Sequence, residues 1–436
     1  MDVFIARQPI LDGDLKTFGH ELLYRSGTAN FYAGANPTLA SLEVINNSLF
    51  SFDIGQLVGE KRAFINFDRD LLLQDAAFIL PPEAVVLEIL ETTELDSEVI
   101  AACGRLHDRG YLLAADDVAA ADQMQPLLEI ADFIKVDFRL APSEERKKII
   151  DRYGARHICL AEKLETYEEF EGAKRLGYRL FQGYFFARPA VLKGHQIPGY
   201  KLNYLRILSA VQRTDIEFTE LEKLILQEPS VTYKLLRYAN SALFAQRSKV
   251  DSIKRALIIL GERELRKWAS IVLLLHLASD RPDALINCAL IRAHFCETLA
   301  QLSGNGGRKS DFFLLGMFSL LDAMTGSALE SALRQISLPA EVEAVLLGGD
   351  PPRSPFSAAY GLVQAYEQGN WQAVGNKASA LGVEGEEVRD TYLEAVTWCE
   401  TVFRLLPEFG GAPYASGTLQ KPAVPAVKNA PVYSRR

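Results

Sequence analysis

The chain has 436 residues, enough for two or three domains with large cores. With 48% hydrophobic and 24% charged residues it has an ordinary globular composition, which excludes a mainly disordered, collagen-like or coiled-coil chain. The net charge of −9 argues against a protein that mainly holds nucleic-acid backbone, and five cysteines without a Cys-x-x-Cys pair predict neither a disulfide framework nor a zinc site.

Nothing in the sequence indicates secretion or a membrane span. The first residues lack the basic and apolar regions of a secretory signal. The most apolar run, at 268–278, is about half of the roughly 20 residues that a spanning helix needs. We therefore expect a cytoplasmic protein without membrane contact.

Eight short runs of β-forming residues follow one another in the first 190 residues. They lie at 3–6, 17–24, 62–67, 84–89, 111–116, 133–137, 157–162 and 178–182. Helical stretches separate most of them, and their interiors are almost continuously apolar, as in strands covered on both faces. This order predicts a compact (β/α) barrel of the TIM type. The alternative is an open doubly wound sheet, although no Gly-x-Gly-x-x-Gly motif follows the first run.

Polar residues lie at or near the ends of these runs. They are Glu21, Asn66, Glu88, Asp116, Asp117, Lys135, Asp137, Glu162, Glu165 and Gln182. The carboxyl ends of parallel barrel strands meet at one rim, where active sites of this fold lie. So many carboxylates need a cation to stay ionised together, and oxygen ligands favour Mg²⁺, Mn²⁺ or Ca²⁺ over zinc. Such a site would activate water and neutralise a phosphodiester, although any single residue could instead be a cap or a surface charge.

A further pattern runs through the same region. It consists of Arg7-Gln8-Pro9-Ile10, Gly19-His20-Glu21-Leu22-Leu23-Tyr24-Arg25, Ile65-Asn66-Phe67, Leu87-Glu88-Ile89-Leu90-Glu91, Asp116-Asp117, Ile134-Lys135-Val136-Asp137, Ala161-Glu162-Lys163-Leu164-Glu165-Thr166 and Gln182-Gly183-Tyr184. In this order the segments resemble the EAL domains, the cyclic di-GMP phosphodiesterases. The resemblance covers about residues 2–195.

The resemblance implies roles for individual residues. Metal ligation of one or two Mg²⁺ or Mn²⁺ ions would fall to Glu21, Asn66, Glu88, Asp116 and Asp117, with Asp137 close by. Glu162 would be the general base, and Lys135 would orient the water or the phosphate. The dinucleotide would be contacted, or the site completed, by Gln8, Arg25 and Gln182, with Glu91 and Glu165 in support.

Three departures from the EAL pattern bear on activity. Residues 118–124 read Val-Ala-Ala-Ala-Asp-Gln-Met, where the family has a loop containing two glycines. Lys163 stands in place of the glycine beside the expected base, and Leu22 in place of a small alanine, where we expect it to crowd the pocket. The retained ligands and altered loop predict a slow or conditional enzyme, or a barrel that only binds, and we slightly favour the binder.

The second half of the chain has helical periodicity from residue 202 to about 403. Its segments 228–244 (EPSVTYKLLRYANSALF) and 252–257 (SIKRAL) resemble the core of an HDOD domain, a helical module related to the HD phosphohydrolases. No His-Asp dipeptide occurs in this half of the chain, so a non-catalytic domain that binds signalling partners is expected. We expect His276 and His294 to be core histidines.

These observations predict three segments. An EAL-type barrel at 1–198 is followed by an all-helical HDOD domain at 199–405 and a disordered tail at 406–436, which holds five of the 19 prolines. The expected function is cyclic di-GMP signalling, in which the barrel binds the nucleotide and hydrolyses it slowly only if the site is still competent; the alternative is an inactive regulatory scaffold that acts through protein–protein interaction. The resemblance implies a homodimer, and the mixed charges around a modest basic cluster at 234–255 disfavour nucleic-acid binding.

Overall fold

The computed structural model describes residues 3–26, 54–74, 76–188, 199–213, 215–240, 250–349 and 354–405. The predicted tail at 406–436 and the junction at 189–198 lie outside the described residues.

A closed barrel of eight strands forms the first half of the chain, in the order β1 to β8. The strands are β1 (Val3–Asp12), β2 (Thr17–Ser26), β3 (Arg62–Phe67), β4 (Val85–Ile89), β5 (Leu112–Val118), β6 (Phe133–Asp137), β7 (Ile158–Leu164) and β8 (Leu180–Gly183). The predicted TIM-type barrel is therefore confirmed, and each of the eight predicted runs overlaps one of the eight strands.

The first strand differs from the expected all-parallel arrangement. It is antiparallel to both β2 and β8, and it extends to Asp12 rather than ending at Ala6. The connection to β2 explains the orientation, because the four residues 13–16 can close a hairpin but not a parallel crossover, which needs a dozen or more residues. Consequently the amino end of β1, and not its carboxyl end, lies at the rim where β2 to β8 end.

Two layers of side chains fill the barrel. The lower layer is an apolar cluster of Ile10, Phe64, Val86, Ala114, Phe133, Leu160 and Leu180. Alternate residues of a strand point to the same face, so the residue two positions nearer the rim also points inward. Those residues are Gln8, Asn66, Glu88, Asp116, Lys135, Glu162 and Gln182. The strand register thus places a polar layer directly above an apolar one.

Helices cover the outside of the barrel. They are α1 (Ile54–Val58), α2 (Arg69–Leu73), α3 (Ser97–Asp108), α4 (Gln125–Leu128), α5 (Ser143–Tyr153) and α6 (Tyr167–Leu176). α6 shows how local sequence sets its bounds: Thr166 and Glu169 form a reciprocal capping box, and Gly177 ends the helix with a φ of 110°.

The second half of the chain is all-helical in its described residues, which confirms the predicted fold class. Its helices are α7 (Gly199–Gln212), α8 (Phe218–Leu226), α9 (Pro229–Ala239), α10 (Ile253–Leu277), α11 (Asp283–Leu302), α12 (Lys309–Phe318), α13 (Leu321–Thr325), α14 (Leu329–Leu333), α15 (Ala340–Leu346), α16 (Pro355–Glu367), α17 (Trp371–Leu381) and α18 (Gly385–Leu405). Gly261 interrupts α10 with a left-handed φ of 67°. Within the described residues, no helix is long and apolar enough to span a bilayer.

The helical region packs against the rim end of β1. Phe4 stacks on Trp371 with ring centroids 5.5 Å apart, and the Tyr366 hydroxyl donates to the Ile5 carbonyl oxygen at 3.0 Å. The buried Arg7 guanidinium donates to the Leu57 carbonyl oxygen at 2.5 Å and to Glu400 of α18 at 3.2 Å. The two halves of the chain therefore share a buried interface beside the polar layer.

Candidate functional site

Lys135 lies at the centre of the polar layer, fully buried near the end of β6. Its Nζ is 2.5 Å from Glu88 Oε1, 2.7 Å from Asp116 Oδ1 and 2.9 Å from Glu162 Oε1. Glu21 Oε2 is slightly farther, at 3.6 Å. Four strands therefore direct carboxylates at one ammonium group.

Burial and mutual repulsion make this cluster electrostatically costly. Burial raises the pKa of Glu88 well above its usual value, although Lys135 opposes the rise. Burial likewise raises the pKa of Glu162 to about 8, with Asp116 and Glu21 adding to the shift against Lys135. For Lys135 burial favours the neutral amine, but the four carboxylates outweigh it and raise its pKa well above normal. One lysine cannot neutralise the four carboxylates.

A chain of amides closes the layer beside β1 and β8. Gln182 Nε2 donates to Glu21 Oε2 at 2.6 Å and to Gln8 Oε1 at 3.2 Å. Gln8 Nε2 in turn donates to the carbonyl oxygen of Glu367 in α16 at 3.3 Å. The position of Glu21 is thus linked by hydrogen bonds to the helical region. Asn66 lies next to Glu88 in the register of β3 and β4.

Two irregularities in strand pairing shape the rim. The β5–β6 register shifts between Ala115 and Val118, and the β7–β8 register shifts between Ala161 and Leu164. The first contains Asp117 at φ 48° and the second contains Lys163 at φ 56°. Such bulges re-aim consecutive side chains. The first bulge therefore directs Asp116 into the polar layer and Asp117 to the rim. The second directs Glu162 into the layer and Lys163 to the rim.

Lys163 bridges two predicted metal ligands, which the sequence analysis did not foresee. Its Nζ donates to Asp117 Oδ1 at 2.7 Å and to Asp137 Oδ2 at 2.6 Å. Burial works against the charged lysine, but these hydrogen bonds prevail and raise the pKa of Lys163. The replacement of glycine by lysine at this position was the available sequence signal.

A backbone contact fixes the end of β8. Gly183 has a φ of 142°, and a Cβ added there would lie 2.1 Å from the Leu164 carbonyl oxygen. Only glycine tolerates both the dihedral and the close approach. Gly183 therefore lets β8 approach β7 where Gln182 enters the site.

The donor atoms fit a hard divalent cation. Ligand atoms of Asp116, Asp117 and Glu162 lie within 4.8 Å of one another. Glu88 Oε2 and Glu162 Oε2 are buried and have no hydrogen-bond partner among the described residues. Buried carboxylate oxygens without donors are costly, and an oxygen-binding ion would satisfy them.

Other predicted residues lie apart from this layer. Glu91 is exposed just after β4, and Glu165 is exposed and pairs with Arg139 and Arg188. Arg25 belongs to β2, but its side chain is outside the described part of the chain. The expectation that Leu22 crowds the pocket is wrong, because strand alternation turns it away from Glu21 into the outer core, where it is buried.

The loop after Asp117 closes without glycine. The Ala119 N–H donates to the Gln123 side-chain oxygen at 2.9 Å, and the Ala121 N–H donates to Glu145 of α5 at 3.1 Å. The left-handed residue is Met124, with φ 53°, rather than either alanine. The altered sequence therefore gives a loop anchored on α5.

In the helical region the two histidines take part in packing. His276 stacks on Tyr204 with centroids 4.8 Å apart, and its Nε2 is 2.9 Å from Lys234 Nζ. His294 stacks on Trp398 at 4.7 Å. Burial, aided by Lys234, lowers the pKa of His276 to about 4, so this ring is neutral at physiological pH.

Known proteins are similar to both halves. Residues 197–336 match the HDOD domain family. The chain is 30% identical over 407 residues to the cyclic di-GMP phosphodiesterase CdgJ of Vibrio cholerae, covering 92% of this chain and 94% of that protein. It is 31% identical over 411 residues to the uncharacterized protein YuxH of Bacillus subtilis, covering 92% and 99%.

Solved structures are similar to the chain at lower identity. An EAL domain protein from Listeria monocytogenes is 22% identical, with a TM-score of 0.37, over 43% of this chain and 88% of that one. The YkuI protein of Bacillus subtilis, solved with c-di-GMP and calcium, is 20% identical, with a TM-score of 0.36, over 61% and 72%. On the full-length similarity to CdgJ and the HDOD match, the chain belongs to the EAL–HDOD family.

Proposed function

We propose that this chain is a cyclic di-GMP signalling protein whose barrel binds the dinucleotide with Mg²⁺ or Mn²⁺ and slowly hydrolyses one phosphodiester bond. The observation that carries the proposal is the buried layer of Glu21, Glu88, Asp116 and Glu162 around Lys135. The relative CdgJ, named as a cyclic di-GMP phosphodiesterase, supports the choice of substrate.

The ion would be held by Glu21, Asn66, Glu88 and Asp116. When bound, it supplies a Lewis acid that polarises the phosphodiester and makes a coordinated water more acidic. The reaction itself is the addition of water across one P–O bond, which leaves a 5′-phosphate and a free hydroxyl in the linear product.

Glu162 accepts the proton of the attacking water. Its pKa of about 8 in the protein without an ion lies close to neutral pH, where a general base is most effective. Lys135 holds the Glu162 carboxylate at 2.9 Å and presents positive charge where negative charge develops on the phosphate. Gln182 orients Glu21 from the opposite side of the layer.

The helical region would bind signalling partners, and its match to the HDOD family supports this part of the proposal. Its contact with β1, through Gln8 and the Glu367 carbonyl oxygen, would bring bound partners next to the proposed nucleotide site. Homodimerisation and a cytoplasmic location are part of the same proposal.

The test is to measure binding and turnover separately. The purified full-length chain is incubated with cyclic di-GMP and Mn²⁺, the linear product is followed by chromatography, and nucleotide binding is followed by calorimetry. We expect slow turnover in the wild type, and binding without turnover in Glu162→Gln. Glu168→Gln is the matched control, since that exposed carboxylate lies in α6 close to the end of β7 and should leave both unchanged.

The outcomes separate the candidate functions. Turnover that is equal in Glu162→Gln and the wild type would refute the assigned base. Tight binding without any turnover would favour the alternative of a sensing module, which the anchored loop at Ala119 and Ala121 also supports. Neither binding nor turnover would leave a pure scaffold and overturn the proposal.

A further inference from the structure

The carboxylate of Asp137 is already fully engaged by the protein. Its Oδ1 accepts the backbone N–H groups of Arg139 at 2.6 Å and Leu140 at 3.0 Å. Its Oδ2 accepts the Lys163 ammonium at 2.6 Å. Asp137 therefore cannot ligate an ion unless Lys163 is displaced.

Asp117 shares the same ammonium. Its Oδ1 is 2.7 Å from Lys163 Nζ, so the lysine bridges one carboxylate from β5 and one from β6. A bridging ammonium at these distances has the charge sign and the position of a cation shared between two carboxylates. Asp116, by contrast, faces the layer around Lys135. Of the predicted ligands, Asp117 and Asp137 thus share Lys163, while Glu21, Glu88 and Asp116 lie around Lys135. Asp117 lies at the boundary, within 4.8 Å of Asp116 and Glu162.

The backbone supports a specific role for the lysine. Lys163 has a φ of 56°, a left-handed conformation that is strained for any residue other than glycine. Glycine would remove that strain. The lysine at this bulge therefore carries local strain, and the double ion pair with Asp117 and Asp137 compensates for it.

We propose that the Lys163 ammonium takes the place of a second divalent cation between Asp117 and Asp137, so that the barrel holds one divalent ion and not two. The inference rests on the metal site of the proposed function. The single ion lies with the carboxylates around Lys135, where Glu88 Oε2 and Glu162 Oε2 lack donors among the described residues. The Lys163 ammonium carries a single charge and no exchangeable water, so it polarises the attacking water less than a divalent ion does. This difference accounts for the slow turnover of the proposed function.

The experiment counts ions on the full-length chain without nucleotide. Mn²⁺ is titrated after removal of metal by EDTA, free Mn²⁺ is measured by electron paramagnetic resonance, and bound ions are counted by native mass spectrometry. We expect one ion per chain in the wild type and in Lys163→Arg, which keeps the charge. Lys163→Met and Lys163→Gly should bind two.

Lys148→Met is the matched control, because Lys148 also forms a carboxylate pair at 2.6 Å but on an exposed helix face. It should bind one ion. Two ions on the wild type, or one ion on natively folded Lys163→Met and Lys163→Gly, would overturn the inference while leaving the proposed function intact. No ion on any variant would overturn both. If the ion counts are as expected but the protein does not bind the nucleotide, only the proposed function would be overturned.

Discussion

Replacing Glu162 by Gln should make the ion-free protein more stable at alkaline pH, although it removes the proposed base. The Glu162 carboxyl is 4% exposed, and its pKa is raised to about 8 because burial disfavours the carboxylate. A group that binds its proton more tightly in the folded state stabilises the fold only while it is protonated. The glutamine variant removes the cost of ionising it.

The sign and size follow from proton linkage. Below pH 4.5 Glu162 is protonated in the folded and unfolded chains, so wild type and variant should be equally stable. Between pH 4.5 and 8 only the unfolded chain releases the proton, and wild-type stability falls as the pH rises. A shift of this size on an isolated group corresponds to about 5 kcal/mol; because the buried Glu162 interacts closely with Lys135 and the neighbouring carboxylates, we expect about 2 kcal/mol for the single variant.

Hydrogen exchange of β6 and β7 peptides in EDTA, measured from pH 5 to 9, tests this. Tryptophan fluorescence would report mainly on the helical half, where Trp268, Trp371 and Trp398 lie. Glu168→Gln, which changes an exposed carboxylate of α6, is the control and should match the wild type. A Glu162→Gln protein no more stable than the wild type at pH 9, or equally stabilised at pH 5, would refute the reasoning.

Three further predictions concern other parts of the molecule. Gly183→Ala should cost at least about 3 kcal/mol in thermal unfolding and weaken Mn²⁺ binding, because the new Cβ meets the Leu164 backbone; normal stability would contradict this. Arg7→Met should lower the urea midpoint by the equivalent of about 2 kcal/mol, because it leaves the Leu57 carbonyl oxygen without this donor and removes the ion pair with the partly exposed Glu400 of the helical half; a midpoint equal to the wild type would count against that interface. Glu297→Gln should lower stability at pH 7 by about 2 kcal/mol, because the His294 hydrogen bond and Lys267 outweigh burial and lower the Glu297 pKa to about 2. The stabilisation is present above pH 4.5 and is lost as pH falls toward 2, so the two urea curves should converge there.

The barrel was predictable because strands and polar strand ends are local patterns. The residues two positions nearer the rim than the apolar layer are Glu88, Asp116, Lys135 and Glu162. They follow from the alternation of side chains along a strand and need no other information. The direction of β1 was not predicted, because a buried apolar strand has the same sequence pattern whether it runs parallel or antiparallel to its neighbours. The signal was the short connection before Thr17, which only a hairpin can make.

The role of Lys163 could not be predicted from the sequence for a different reason. The sequence does not show which way the Lys163 side chain points. Its direction is set by the β7–β8 register shift, which forms only when the strands pair. The sequence identified the position as a departure from glycine but indicated no partner for the lysine. The same limit applies to Gln8, whose two partners lie on β8 and at the end of α16.

The charge of the site determines the order in which ligands can enter it. Glu21, Glu88, Asp116 and Glu162 face Lys135, while Asp117 and Asp137 face Lys163, so two ammonium groups stand against six carboxylates. A cyclic dinucleotide brings two further negative charges, and in a buried layer like charges repel strongly because little water screens them. We therefore expect the nucleotide to bind only after a cation has bound. Lys163 cannot replace that cation, because Asp117 and Asp137 already neutralise its charge. On the proposed function, a binder and an enzyme built on this barrel would both take up the divalent ion first, and proton transfer by Glu162 would distinguish them.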